Sequence, residues 1–256
     1  MKTKYSYCPV TTHVITIGKQ RLYYRVAGTG PPLVLIHGFG VSGQVWSRCI
    51  PYLARERQVY IVDLPGHGHS TISGAWRLRE IAPLLAQWLR TLALPPVALL
   101  GHSMGGAIAV HLAAHAPELI ERLVLVDAAC LPFDKTLPVI ISRSAHSMVQ
   151  RGAGSYPLMM LRDILKPRPR LLLQAAREMN HSDFRAEIAS LTLPTLIIWG
   201  ERDVLLPLAL GKTLAEMLPH ATFVTMPESG HRPPLSQPAE FSRLVLDFLS
   251  EQHPCP

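Results

Sequence analysis

Two short stretches near the N-terminus, "HVITIG" and "RLYYRVAG", alternate apolar and polar positions and carry β-branched or aromatic residues. A period of two predicts a half-buried antiparallel hairpin. The pattern then changes. "PLVLIHG" is a continuous apolar run ending at His37 and Gly38, which is how a strand covered on both faces reads. "GQVWSRCIPYLARE" places Val45, Trp46, Ile50 and Leu53 near helical spacing, with Pro51 expected to kink the pattern. "QVYIVDLPGHGHS" is a second buried strand running into a Gly/Pro turn. "LREIAPLLAQWLRTL" carries a helical face of Leu78, Ile81, Leu85, Trp88, Leu89 and Leu92. Pro83 leaves the start of that helix open.

The same rhythm continues. "VALLGHS" predicts a strand, "MGGAIAVHLAAHA" a helix and "ERLVLVDAA" a strand. After residue 193 come "PTLIIWG", "PLALGKTLAEML", "ATFVTM" and "PAEFSRLVLDFL", again strand, helix, strand, helix. Strands alternating with helices predict an α/β fold, a mostly parallel sheet with helices on both faces. Between residues 130 and 187 the rhythm fails. That stretch holds Pro132, Pro138, Pro157, Pro167 and Pro169, helix-like pieces and no clear strand. The expectation is a core domain of residues 1–129 and 188–256, with 130–187 inserted as a helical lid over the carboxyl edge of the sheet.

Composition narrows the class. Of 256 residues, 48% are hydrophobic and 17% charged, which suits one globular domain with an insertion. The net charge is +7, but the basic residues are scattered, without a basic–aromatic motif, so no nucleic-acid partner is expected. The N-terminal "MKTKYSYCPV" has no apolar core of a signal peptide. No apolar run is long enough to span a membrane. Cys8, Cys49, Cys130 and Cys255 lack metal-like spacing. A cytoplasmic protein is the expectation.

The chemistry gathers at "GHSMGG". Gly101, Ser103 and Gly105 fit G-x-S-x-G between a strand and a helix. There a serine sits on a strained turn with its hydroxyl exposed at the sheet edge. A serine hydroxyl is a weak nucleophile; it needs a base, and the base needs an orienting acid. In this turn type the partners follow in the order acid, then His. Asp203 in "IIWGERDVLLP" and His231 in "MPESGHRPP" both follow late strands. Glu201 and Asp127 compete as acids, with solvation or turn capping as their simpler roles. Two backbone N–H groups are expected to hold an oxyanion: that of Met104 after the nucleophile, and that of Phe39 in "HGFGV".

The set "HGFG", "DLPGHGHS", "GHSMGG", "GERD" and "SGHRPP" resembles the α/β-hydrolase fold superfamily, esterases and lipases in particular. The resemblance covers essentially the whole chain. It implies Ser103, Asp203 and His231 as a catalytic triad, Phe39 and Met104 as oxyanion donors, and no metal or organic cofactor. One departure is Ser236, where many relatives carry a glutamate.

Other features compete with this site. His111 and His115 are four apart, the spacing of a two-histidine zinc face, but the helix follows the serine turn and no third ligand is evident. His67 and His69 read as loop residues. His37 and His102 flank the site, as packing, hydrogen-bonding or substrate-contact groups. Met159 and Met160 in "YPLMMLRDIL" are candidates for the roof of an acyl pocket. Residues 130–187 hold nine basic and five acidic side chains, an excess that would attract an acidic substrate or an acidic acyl carrier. The expected reaction is hydrolysis of a small-molecule carboxylic ester through an acyl-enzyme. A thioesterase, an esterase of a carrier-bound acyl chain, a lactonase, a C–C hydrolase and a non-catalytic ligand binder are the alternatives.

Overall fold

The computed structural model describes residues 9–132, 161, 163 and 169–251. The expected hairpin is β1 (Val10–Ile17) and β2 (Gln20–Ala27), antiparallel and in register from Val10 opposite Ala27 to Ile17 opposite Gln20. It joins a larger sheet through antiparallel pairing of β2 with β4 (Gln58–Val62). The remaining strands are β3 (Pro32–Ile36), β5 (Val97–His102), β6 (Ile120–Val126), β7 (Thr195–Gly200) and β8 (Ala221–Met226). The order is β1-β2-β4-β3-β5-β6-β7-β8, and every pair from β4 onward is parallel.

The unbroken apolar runs are explained by two cores, one on each face. Along β3, Val34 and Ile36 enter one cluster and Leu33 and Leu35 the other. The first face is covered by α2 (Leu78–Leu92) and α3 (Met104–His115). The second is covered by α1 (Ile50–Leu53) and by the C-terminal helix, which supplies Phe241, Val245, Phe248 and Leu249. In chain order the later helices are α4 (Pro169–His181), α5 (Arg185–Ser190), α6 (Leu208–Met217), α7 (Pro233–Ser236) and α8 (Pro238–Ser250). No helix among the described residues is long and apolar enough to cross a membrane.

One proline behaves differently from expectation. Pro51 does not kink one helix. Gly43–Trp46 forms a separate 3-10 turn, and Pro51 sits in the first turn of α1, where its missing N–H costs nothing. Pro83 lies inside α2 without breaking it. It cannot donate to the Arg79 carbonyl four residues earlier. His111, from α3, has its Nδ1 3.3 Å from Glu187 Oε1.

Most of residues 130–187, including Met159 and Met160, lies outside the described residues. The ends of the segment are placed. Phe184 N–H donates to Cys130 O at 3.4 Å, which brings its exit against its entry. α5 straddles residue 187. Arg79 of α2 bonds to Glu187 and lies over the Phe184 ring, so the exit is fastened to the core.

The second core generates a stability prediction. Phe241 is fully buried beside Trp46, ring centroids 6.4 Å apart. Phe241→Ala is expected to cost about 3–5 kcal/mol, read as a lower urea midpoint with an unchanged slope. Val14→Thr, on the exposed edge strand β1, is expected to stay within about 0.5 kcal/mol of wild type.

Candidate active site

Strands β3, β5, β6, β7 and β8 are parallel, so the loops after them gather at one edge of the sheet. β5 ends at His102 and α3 begins at Met104. Ser103 between them has φ +54° and ψ −119°, a conformation that costs a non-glycine residue of order 1–3 kcal/mol. The neighbours hold it there. Ser103 N–H donates to Val126 O at 2.9 Å, and Ser103 O accepts from Ala129 N at 3.0 Å. Gly101 and Gly105 allow the turn to be this tight. A Cβ on Gly101 would sit 2.3 Å from Gly105 O, and one on Gly105 would sit 2.4 Å from Ile36 O.

The turn aims Ser103 Oγ at His231. His231 Nε2 lies 3.1 Å from Ser103 Oγ, and His231 Nδ1 lies 2.7 Å from Asp203 Oδ2. All three side chains are buried. The second oxygen of Asp203 accepts from Leu205 N at 2.7 Å and Leu206 N at 2.9 Å. These bonds fix the carboxylate plane and leave Oδ2 for the imidazole. The histidine loop is fixed from outside the triad. Ser229 Oγ is 2.6 Å from Ser236 Oγ and accepts from Gln237 Nε2 at 2.9 Å. Ser236, the departure from the family pattern, thus ties this loop to α7.

Neither Phe39 N–H nor Met104 N–H has an acceptor among the described residues. Met104 is the first residue of α3, where an N–H has no intrahelical partner. A Cβ on Gly38 would sit 3.2 Å from Ser103 Cβ, so the loop that carries Phe39 lies against the serine. His37 anchors the root of that loop. Its Nε2 accepts from Leu64 N at 2.9 Å, and its Nδ1–H donates to Gly38 O at 2.8 Å. Burial, with His67 nearby, pushes its pKa from 6.5 down to about 3. His102 is held similarly. Its Nε2–H donates to His231 O at 2.8 Å, and burial, then the neighbouring His231, holds it well below the usual range. Both rings are neutral groups that fasten loops.

The competing acids separate. Glu201 is exposed and accepts from Thr225 Oγ1. Asp127 is not solvated, as its simpler role implied; it is fully buried. Its Oδ1 accepts from Gly200 N at 2.9 Å, and burial, then the charge of Asp203, hold its pKa well above the carboxylate range.

Sequence reasoning missed Asp63. Its two oxygens accept from Gly43 N and His69 N, both at 2.9 Å. It pins the "PGHGHS" turn; the only signal was an acid placed between a strand and a glycine-rich loop. Asp127, His102 and His231 have ligand-type atoms within 4.8 Å of one another. Both nitrogens of His231 and Nε2 of His102 are already hydrogen-bonded, so a metal there would dismantle the serine–histidine–aspartate chain. His111 and His115, with ring centroids 6.4 Å apart, belong to no metal-like group among the described residues.

The family model described as "Alpha/beta hydrolase family" matches residues 33–244. The chain belongs to this family. It is similar to a pimeloyl-[acyl-carrier protein] methyl ester esterase of Chromobacterium violaceum, 33% identical over 90% of this chain and 99% of that protein. It is also similar to one of Yersinia enterocolitica, 31% identical over 91% of this chain and 99% of that protein. Among solved structures, a bromoperoxidase from Bacillus anthracis aligns with a TM-score of 0.84 at 24% identity, over 94% of this chain and all of that one. An enol-lactonase from Burkholderia xenovorans aligns with a TM-score of 0.82 at 23% identity, over 93% of this chain and all of that one. At those identities the structures speak for the alpha/beta hydrolase fold.

The His37 clamp generates a prediction for this alpha/beta hydrolase. The unfolded chain takes up a proton on His37 below about pH 6.5, whereas the folded chain does so only near pH 3. Between those values the unfolded state binds more protons, so stability is whole above pH 6.5 and falls as the pH drops. The slope from this group approaches about 1.4 kcal/mol per pH unit. Asn at 37 has both an acceptor and a donor but does not titrate. His37→Asn is expected to lose less stability than wild type between pH 6.5 and 4, measured by urea midpoints across that range.

Proposed function

We propose that this protein is a serine esterase that cleaves a carboxylic ester through an acyl-enzyme, with Ser103, His231 and Asp203 as its triad. The observation that carries the reading is the unbroken hydrogen-bonded chain from Ser103 Oγ through the His231 ring to Asp203. His231 Nε2 takes the Ser103 proton as Oγ bonds to the ester carbonyl carbon. The N–H groups of Phe39 and Met104 receive the oxyanion. The imidazolium gives its proton to the departing alkoxide, and an alcohol leaves. His231 then takes a proton from water as hydroxide attacks the acyl carbon. On collapse of the second tetrahedral intermediate, Ser103 recovers its proton and the acid is released. Asp203 holds Nδ1–H toward itself and stabilises the imidazolium. The cycle calls for no metal, organic cofactor or nucleic acid.

Relatives spanning nine-tenths of the chain are named for a methyl ester on a carrier-protein-bound pimeloyl chain. We take the substrate to be of that kind, an ester at the far end of an acyl chain on an acidic carrier, and the site of action to be the cytoplasm. Residues 130–187, with nine basic and five acidic side chains, form the lid in this reading and attract the carrier. The thioesterase alternative is separated by the product, since it frees the carrier thiol where an esterase frees methanol. A non-catalytic binder would turn over no ester at all.

Two predictions follow from this reading. Ser103→Ala is expected to reduce turnover of p-nitrophenyl esters by about 10⁶, because the triad acts as a unit, with the melting temperature preserved. A phosphonate inhibitor should label Ser103 alone, and a chain-length series on the wild type sizes the acyl pocket. A variant that keeps a few per cent of activity would mean another nucleophile. Second, reversing Arg168 and Arg170 to Glu is expected to lower kcat/KM several-fold for a carrier-bound ester and to leave a small neutral ester almost untouched. The wild-type rate with the carrier substrate should fall as salt rises, since exposed charges are screened beyond about 8–10 Å. A flat salt profile for both substrates would remove the carrier from the proposal and leave the plain esterase.

A further inference from the structure

Asp127 carries an unusual combination of backbone and side-chain features. Among the described residues, only Ala93, Ser103 and Asp127 have positive φ without being glycine. Ala93 caps the end of α2, and Ser103 is the nucleophile turn. Asp127 has φ +41°, is fully buried, and its Oδ2 has no hydrogen-bond partner among the described residues. An unmet buried polar atom and a strained backbone both cost stability. A strand-end cap does not need that outlay. An asparagine would accept from Gly200 N equally well, tolerate the same φ, and place no second carboxyl beside Asp203.

The location gives the acid a use. Asp127 follows β6, and its N–H donates to Ile198 O of β7 at 3.0 Å. Its Oδ1 accepts from Gly200 N at the end of β7, and Gly200 O accepts from Asp203 N at 3.1 Å. One carboxylate oxygen of Asp127 lies within 4.8 Å of a ring nitrogen of His231. Two carboxyl groups therefore converge on the imidazole that becomes positive in each half of the cycle. Resting on the triad reading above, we propose that Asp127 is a reserve orienting acid, a positioning residue that supports His231 together with Asp203 and takes over its support when Asp203 is neutralised.

The charged groups around Asp127 set how this works. Burial and the Asp203 carboxylate oppose its ionisation, while the Gly200 N–H bond and Arg232 favour it. His102 is neutral. The pair then carries one negative charge while Asp203 is ionised. Removing the charge of Asp203 removes one of the two influences that keep Asp127 protonated, and Asp127 ionises more readily beside His231.

The test measures kcat/KM on a p-nitrophenyl ester from pH 6 to 10 for D203N, D127N and the double variant, with S103A and H231A as controls. Loss of a sole orienting acid costs about 10⁴. D203N is expected to lose less, about 10²–10³, and to regain rate as the pH rises. D127N alone is expected within about fivefold of wild type, and the double variant to lose a further tenfold or more together with the rising limb. Asn favours positive φ, and Asp127→Gly provides a second background should the Asn variant fold poorly by melting temperature. A merely structural Asp127 would not move the pH profile of D203N. Equal rates for D203N and the double variant at every pH would overturn the proposal, as would a D203N variant without the rising limb. Activity retained by S103A or H231A would instead overturn the triad.

Discussion

The positive φ of Ser103 is the constraint on which the rest of the site depends. A serine in that conformation is unfavourable in isolation, and it persists because the ends of three strands require it. The carbonyl of Val126 and the N–H of Ala129 grip its peptide on the β6 side. On the β3 side the backbone at Ile36 and His37 closes to where a Cβ on Gly105 would fall. The hydrophobic effect supplies the force, since β3, β5, β6 and β7 are buried on both faces. The packed sheet thus holds the strain that a catalytic turn needs.

Electrostatics at the sheet edge follow from the same burial. Removing His37 and His102 from water keeps both rings neutral, and neutral rings can accept and donate along fixed directions. Had either carried charge, it would oppose a positive charge on the neighbouring His231 ring. Asp203 is buried as well, and its two oxygens take part in three hydrogen bonds. The same burial that holds two rings neutral thus leaves this carboxyl well supplied with partners.

Much of this was legible in the sequence. The buried strands announced themselves because parallel strands covered on both faces admit few polar residues, and "PLVLI", "VALLGH" and "TLIIWG" contain few. The spacing of Gly101, Ser103 and Gly105 was legible because a tight strand-to-helix turn has few solutions. Pro51 was misjudged for a local reason: whether a proline kinks a helix depends on where in a turn it falls, and here a separate 3-10 turn ends before it and Pro51 lies in the first turn of α1. The roles of Asp63 and Asp127 were hidden similarly. An acid at a strand end looks the same in sequence whether it faces water or a ring of backbone N–H groups, because burial is decided by neighbours distant along the chain.

The hydrogen bond from Phe184 N to Cys130 O has a consequence for how such a molecule can diversify. It pairs the entry and exit of the inserted segment, and Ala129, just before the entry, is bonded to Ser103. Seen as polymer physics, a segment whose two ends are already closed by the core can change length cheaply. Doubling the length of a flexible loop adds only about 0.6 kcal/mol of closure entropy. The geometry around Ser103 is therefore set by the core, independently of how much chain runs between Cys130 and Phe184.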